Sequence, residues 1–307
     1  MEIIKSFLSQ NKIEFIENFD SSLISSIRLG EIIDLAIFPK NKKEIIKIAK
    51  FFYFKKIYFK VVGNASNVIF VERVKFPVII TSKMKDEIDI KGREVDVSSG
   101  VLISKLCDAL KKNNLSGFEG LSGIPATVGG ALVCGAGAFS QNIYDKLISI
   151  DAFVMGRVVT IFKNQINFKH HYSNLNGIFV LSAKFLFDNK NEYDIMKLLN
   201  RFSYLRSRSQ PVGFSLGSVF QKINNNSAGF FIERAGLKGK KFGGLFVSNK
   251  HANFFINDGR GTITDFLRLM TFVEREVEKH FGINLLPEIE KVVNKNEIGW
   301  GLSYSFK

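Results

Sequence analysis

The chain has 307 residues, 46% of them hydrophobic and 23% charged, with a formal net charge of +14. That length holds a sizeable core in one large or two to three modest domains, and 31 phenylalanines favour a filled interior over a disordered chain. The two cysteines, Cys107 and Cys134, exclude a disulfide framework and fit a reducing compartment.

In chain order, Asn41-Lys-Lys-Glu44 is a capping-box pattern that opens a helix through IIKIAKFF. IYFKVVG reads as a strand ending at Gly63, FPVIITS as a short buried strand and EVDVSSG as an alternating one. VLISKLCDALKKNN has helical spacing. The uncharged zone Gly120–Tyr144 follows, then the strand-rich stretches LISIDAFVMGRVVTIF and GIFVLSAKFLF. The polar run Asp188–Tyr193 reads as a boundary before a helix carrying Met196, Leu198 and Leu199. Pro211, Gly213 and Gly217 mark a loop-rich unit. KHANFFIN reads as a strand along which Asn253 and Phe254 alternate in facing. Thr262-Ile-Thr-Asp265 is a second capping box, opening a long amphipathic helix that runs to Gly282. Strands and helices alternate with few clean βαβ units.

The positive charge has two readings: an anionic partner, or a lysine-rich solvated surface. The lysines are scattered and the densest run, Lys238-Gly-Lys240-Lys241, is short, which favours the second reading. The N-terminal stretch mixes charges into its apolar positions and lacks a secretory apolar core. Gly120–Tyr144 is long enough for a membrane span, but its six glycines, proline and polar residues argue against one. A cytoplasmic protein without a membrane partner is expected. His170, His171, His251 and His280 have no ligand spacing, so no metal is expected.

Two segments carry chemistry. In Gly63-Asn64-Ala65-Ser66-Asn67, small residues after a strand let successive backbone N–H groups point at one anion, and Ser66 and Asn67 add side-chain donors. In LSGIPATVGGALVCGAGAF, Gly123, Gly129 and Gly130 permit close backbone approach to a ligand. Together the segments are able to hold an extended dinucleotide. Neither fits the G-x-G-x-x-G fingerprint between strand and helix, so the fold is not Rossmann. The alternative is close packing of backbone in a tight sheet corner.

VGNASN, GFEGLSGIPATVGGALVCGAGAF, QPVGFSLGSVFQ, AGFFIERAGLKGKKFGGLFVSNKHANFFIN and LLPEIEKV occur in this order. This series resembles the UDP-N-acetylenolpyruvoylglucosamine reductase family, over about Arg28 to Val292, in the branch that lacks an extra tyrosine-bearing loop. The resemblance implies an α+β chain: an FAD-binding fold of the vanillyl-alcohol-oxidase type in two subdomains, 1–82 and 83–192, followed by a smaller α+β substrate-binding domain, 193–307, whose last residues are able to pack back on the first subdomain. It implies non-covalent FAD, NADPH as hydride donor, and reduction of UDP-N-acetylglucosamine enolpyruvate to UDP-N-acetylmuramate for peptidoglycan, with no nucleic-acid or obligate protein partner.

By the same resemblance, Gly63, Asn64, Ala65, Ser66 and Asn67, with Gly123, Ile124, Pro125, Thr127, Gly129, Ala136 and Gly137, line the cofactor site. Ser218 is the proton donor and Glu288 the catalytic glutamate. Charge developing beside the substrate carboxylate calls for preorganised donors, and the adjacent carbon for a proton. Arg206, Gln210, Lys250 and Asn253 are expected at the substrate. The chain departs from the family pattern at three positions. Ala65 and Gly135 stand where glycine and asparagine are usual, and a methyl at residue 65 requires negative φ. His171 fills the position of a family arginine, and an imidazole cannot fork to a carboxylate. The role then falls to His171 in weaker form, or to Arg28 or Arg206, or activity is reduced. Other readings are a different flavin enzyme on the same fold and a basic nucleic-acid-binding protein.

Overall fold

The chain opens with α1 (Glu2–Gln10), and the strands β1 (Glu14–Asp20), β2 (Ile32–Phe38), β3 (Lys60–Val62), β4 (Val68–Phe70) and β5 (Val78–Ile80) follow, with α2 (Lys42–Phe54) between β2 and β3. The computed structural model describes residues 1–169, 172–175, 177–223 and 226–294. Four of these strands form a sheet in the order β1-β2-β5-β3, with β1 antiparallel to β2 and β5 parallel to both of its neighbours. Asn41 caps α2 through its side chain, which accepts from Glu44 N at 3.0 Å. Ile45, Ile48, Ala49 and Phe52 recur at helical spacing and are buried with Leu35, Ile37 and Ile79.

A second sheet has the strand order Arg157–Phe162, Leu147–Val154, Phe179–Leu186, β7 (Glu94–Ser98) and β6 (Ile88–Lys91), each pair antiparallel. α3 (Ile103–Lys112) and α4 (Val128–Cys134) contribute to its core, where Phe118 meets Phe185 and Phe187 edge-on at 5.3 and 4.9 Å. α2 is tied to this second sheet by Lys42, whose Nζ lies 2.8 Å from both Asp151 Oδ2 and Ser182 Oγ.

α4 was not expected. Gly129 and Gly130 place the poorest non-proline helix formers in its first turn, which hides the helix from periodicity. The helix exists because both ends are capped. Thr127 Oγ1 accepts from Gly130 N at 3.2 Å. At the other end Ala136 N donates to Ala131 O and Gly135 N to Leu132 O, a Schellman closure with Gly135 at φ +63. Asparagine is the other residue that tolerates this left-handed position, so the exchange of asparagine for Gly135 conserves backbone geometry. Gly129 has a packing role as well: a Cβ there would lie 2.8 Å from Ser99 Cβ.

The last third holds α5 (Glu192–Ser209), α6 (Ala228–Arg234), α7 (Ile263–Phe281) and a small antiparallel sheet of Lys241–Phe242, Leu245–Val247 and Phe255–Asn257. The Thr262/Asp265 capping box is formed, and Phe266, Leu269, Met270, Val273 and Val277 of α7 are buried. This core recruits Ile27, Leu29 and Ile69 from the start of the chain. The strand Glu290–Val292 then leaves it and pairs in parallel with β4, Glu290 opposite Val68.

Phe118 is 1% exposed and holds two aromatic neighbours. Phe118→Ala is expected to cost about 3–5 kcal/mol in a denaturant titration; a loss below about 1 kcal/mol would show that the cluster rearranges around the vacancy.

Candidate active site

The loop between β3 and β4 is the base of the site. None of the N–H groups of Gly63, Asn64, Ala65, Ser66 and Asn67 donates a hydrogen bond to a described residue. Ala65 has φ +42, so the loop takes a left-handed step, and such a step turns successive N–H groups toward one point. This overturns the expectation of negative φ at Ala65. The left-handed conformation costs an alanine about 1 kcal/mol; Ala65 is buried in the apolar cluster that includes Val62 and Phe70, and that burial offsets the cost.

The Gly/Ala-rich segment lies directly against this loop. A Cβ on Gly63 would sit 2.3 Å from Thr127 Oγ1, so only glycine allows the approach. Asn64 Nδ2 donates to Pro125 O at 2.9 Å. The N–H groups of Val128 and Gly129 are taken by Val101 O and Ser99 O, and that of Gly130 by Thr127. An anion here is therefore met by the 63–67 loop and not by the start of α4. Thr127 and Gly129 are buried and shape the floor, whereas Gly123 and Pro125 are exposed and Ile124 half-buried. Ala136 and Gly137 follow the Schellman closure, where Gly137 lies close to Gln141 O. Five N–H groups with no acceptor among the described residues, beside a glycine-made approach, fit the pyrophosphate of a dinucleotide.

Ser218 and Glu288, 70 residues apart in sequence, lie on adjacent extended segments. Residues 218–221 run between two others. On one side Ser218 bridges Phe254 and Val219 N donates to Asn253 O at 2.9 Å. On the other, Glu288 N donates to Val219 O at 2.8 Å, Phe220 bridges Pro287, and Gln221 N donates to Leu286 O. Ser218 is half-buried and its hydroxyl makes no hydrogen bond among the described residues. Burial pushes the Glu288 carboxyl up from 4.5 to about 7, against the opposing pull of Lys222. The nucleotide loop joins both: Asn67 Nδ2 donates to Glu288 O at 3.2 Å and reaches Cys134 Sγ at 3.9 Å, and Asn67 O accepts from Glu290 N at 2.9 Å.

Arg206, Gln210 and Lys250 gather at the end of α5. Arg206 Nη1 donates to Gln210 Oε1 at 2.9 Å and Nη2 to Gly120 O at 3.0 Å, with the guanidinium 5.2 Å from the Phe139 ring. Its side chain lies along Gly123, where a Cβ would meet Arg206 Nε at 2.4 Å. Lys250 Nζ donates to Ser207 O. Asn253 differs from expectation. It lies in a turn ahead of the strand Phe255–Asn257, both it and Phe254 are buried, and both ends of its amide bind the Phe220 backbone. His171 lies outside the described residues. Ser26, which the motifs did not flag, also supports the site. Ser26 links Ala65 O, through its N–H at 3.5 Å, to Ser215 O, through its hydroxyl at 2.6 Å. Ser25 and Ser99 have buried hydroxyls without a partner among the described residues. No sequence pattern marks them, because the fold brings them from remote positions. Among the described residues no group of histidine, cysteine, aspartate and glutamate has the arrangement to hold a metal, and no helix is long and apolar enough to cross a membrane.

Residues 33–160 match the family model of an FAD binding domain, and residues 210–292 that of the UDP-N-acetylenolpyruvoylglucosamine reductase C-terminal domain. The chain is 31% identical over 275 residues to a UDP-N-acetylenolpyruvoylglucosamine reductase of Caldanaerobacter subterraneus subsp. tengcongensis, covering 88% of this chain and 91% of that protein. It is 33% identical over 279 residues to one of Clostridium botulinum, covering 89% and 91%. Among solved structures it is similar to the UDP-N-acetylenolpyruvylglucosamine reductase of Thermus caldophilus, with a TM-score of 0.78, 26% identity, and coverage of 91% of this chain and 98% of that one. The architecture is thus the FAD-binding fold of the vanillyl-alcohol-oxidase type, joined to an α+β C-terminal domain.

The raised Glu288 carboxyl has a stability consequence. The folded state holds this proton more tightly than the unfolded chain, so its contribution is complete below about pH 4.5 and drains away as pH rises toward about 7. Glu288→Gln cannot ionise. Its stability relative to the parent protein is expected to climb between pH 5 and pH 8, by on the order of 2–3 kcal/mol, in thermal or denaturant unfolding. A difference that does not change with pH would contradict the buried-carboxyl assignment.

Proposed function

The chain belongs to the UDP-N-acetylenolpyruvoylglucosamine reductase family, and from that premise we propose how its residues divide the work of the reaction. The protein is an FAD-containing, NADPH-dependent oxidoreductase that reduces UDP-N-acetylglucosamine enolpyruvate to UDP-N-acetylmuramate, a step of peptidoglycan precursor synthesis. FAD, when bound, supplies hydride transfer between NADPH and the enolpyruvyl double bond.

The observation that carries the assignment of roles is the meeting at Asn67 of the nucleotide loop, α4 and the Glu288 segment. The N–H groups of Gly63 through Asn67, which donate to no described residue, would hold the cofactor's pyrophosphate. Gly63 and Gly129 let the 63–67 loop, Thr127 and Ser99 pack closely enough to form the floor of the site, while Gly123, Ile124, Pro125, Ala136 and Gly137 line it. Ser218 gives its hydroxyl proton to the carbon beside the substrate carboxylate. A serine is a weak acid, but that carbon carries the charge of an enolate extended into a carboxylate, a strong base, and fixed geometry supplies the rest. Glu288, pushed up to about 7 by burial, keeps its proton under mildly acidic conditions and in that form donates a hydrogen bond to the developing charge.

The substrate is an anionic UDP-sugar. Arg206, Gln210 and Lys250 offer it cationic and amide groups at the end of α5. His171, where arginine is usual, offers one imidazole N–H in place of a guanidinium fork. A buried core spanning Val95 to Phe187 supports the middle unit 83–192, and the third unit, 193–307, takes Ile27, Leu29 and Ile69 into its own core. The scattered lysines favour a solvated surface over a nucleic-acid partner, and the two free cysteines fit a reducing, cytoplasmic setting.

Ser218→Ala tests the central role. Bleaching of the bound flavin by NADPH is expected to proceed as in the parent protein, while its reoxidation by UDP-N-acetylglucosamine enolpyruvate slows by about 100-fold or more. Equal loss in both half-reactions would make Ser218 a structural residue, and NADPH oxidation with no dependence on the UDP-sugar would point to another flavin enzyme on this fold.

A further inference from the structure

The segment that carries Ser218 is only partly built from backbone pairing. Val219 uses its N–H and its carbonyl on the two flanking segments. At Phe220 the flank toward residues 253–254 presents no backbone partner, because the chain there turns at Ala252 and Asn253 before the strand Phe255–Asn257 begins. The Asn253 side chain fills that place. Its Oδ1 accepts from Phe220 N at 3.0 Å, its Nδ2 donates to Phe220 O at 2.8 Å, and its own carbonyl accepts from Val219 N at 2.9 Å. The residue is 4% exposed, so these bonds are not exchanged with water. Its N–H is anchored in turn, at 3.3 Å from His251 Nδ1. Both amide atoms of the Asn253 side chain are therefore committed to the backbone of Phe220, two residues beyond Ser218, while its carbonyl holds Val219 N on the segment that also receives Glu288 N.

We propose that Asn253 is a positioning residue for the proton-delivery step: its amide replaces a missing β-ladder rung and thereby fixes Ser218 with respect to Glu288 and the nucleotide loop. The inference rests on the assignment of Ser218 as proton donor. A carboxamide suits this role because it donates and accepts at one edge with the spacing of a peptide. An aspartate keeps the shape but turns the 2.8 Å bond to Phe220 O into a contact between two acceptors. The chemistry is sensitive to such a change, since a misplacement of about 1 Å at a reacting centre costs about 100-fold in rate.

The test uses Asn253→Ala and Asn253→Asp in the full-length flavin-loaded protein, with the two half-reactions measured separately by stopped flow. Flavin bleaching by NADPH is expected to stay within about 2-fold of the parent rate, while reoxidation by the UDP-sugar slows about 10- to 100-fold with its substrate half-saturation little changed. Because protonation becomes harder, the solvent deuterium isotope effect on reoxidation is expected to increase in both variants. A residue that merely supports the fold would lower both half-reactions together and leave the isotope effect as it was, and that result overturns the proposal. Failure of both variants to retain flavin overturns it as well. A parent protein that bleaches with NADPH but is not reoxidised by the UDP-sugar would sink the functional reading, and this inference with it; a normal parent with unaffected variants sinks the inference alone.

Discussion

The site depends on one side-chain amide. Asn67 touches Glu288 O and Cys134 Sγ through its Nδ2, and its carbonyl accepts from Glu290 N. These bonds join the loop after β3, the end of α4 and the last strand of the described chain. The chain must therefore cross the whole C-terminal unit, return, and pair Glu290–Val292 with β4 before the site is complete. This is a closure over 221 residues, a long-range contact of the kind that slows folding more than it weakens the folded state. Support comes from Lys60, whose Nζ pairs with Glu290 Oε1 at 2.5 Å, and from the Ser26 contacts that pin Ala65 to Ser215.

Much of the architecture was readable because local signals agreed with packing. Asn41 with Glu44, and Thr262 with Asp265, marked α2 and α7, and the apolar positions behind each cap are the buried ones. The nucleotide loop was readable for a similar reason: small residues directly after a strand have few uses other than close approach. α4 was not readable, since its stability comes from caps and from Gly129 packing on Ser99, neither of which leaves a periodic trace. The sign of φ at Ala65 was misjudged because residue type alone speaks against the left-handed region, whereas the buried methyl and the loop's closure decide it. Asn253 shows the same limit from the other side. Its motif pointed to the site, but only the three-dimensional register reveals that its amide faces the Phe220 backbone instead of a ligand.

The electrostatics have a corresponding division. Most ion pairs lie on the surface, where each contributes little and the excess of lysine is solvated. At the site, charge is handled by burial instead. The Glu288 carboxyl is pushed toward neutrality, the Cys134 thiol is likewise pushed up by burial, and the nucleotide loop presents N–H dipoles rather than side-chain cations. Such an environment has little room to reorganise during reaction, which is the condition under which fixed donors act strongly on developing charge.

The central claim is that the side-chain-poor loops around Gly63 and Thr127 exist to seat a flavin nucleotide. The most direct measurement is the visible absorption spectrum of the purified protein, before and after denaturation and filtration. The account predicts a yellow protein whose flavin passes into the filtrate as free FAD, at about one per chain after reconstitution. A colourless protein that takes up no FAD on reconstitution would contradict it.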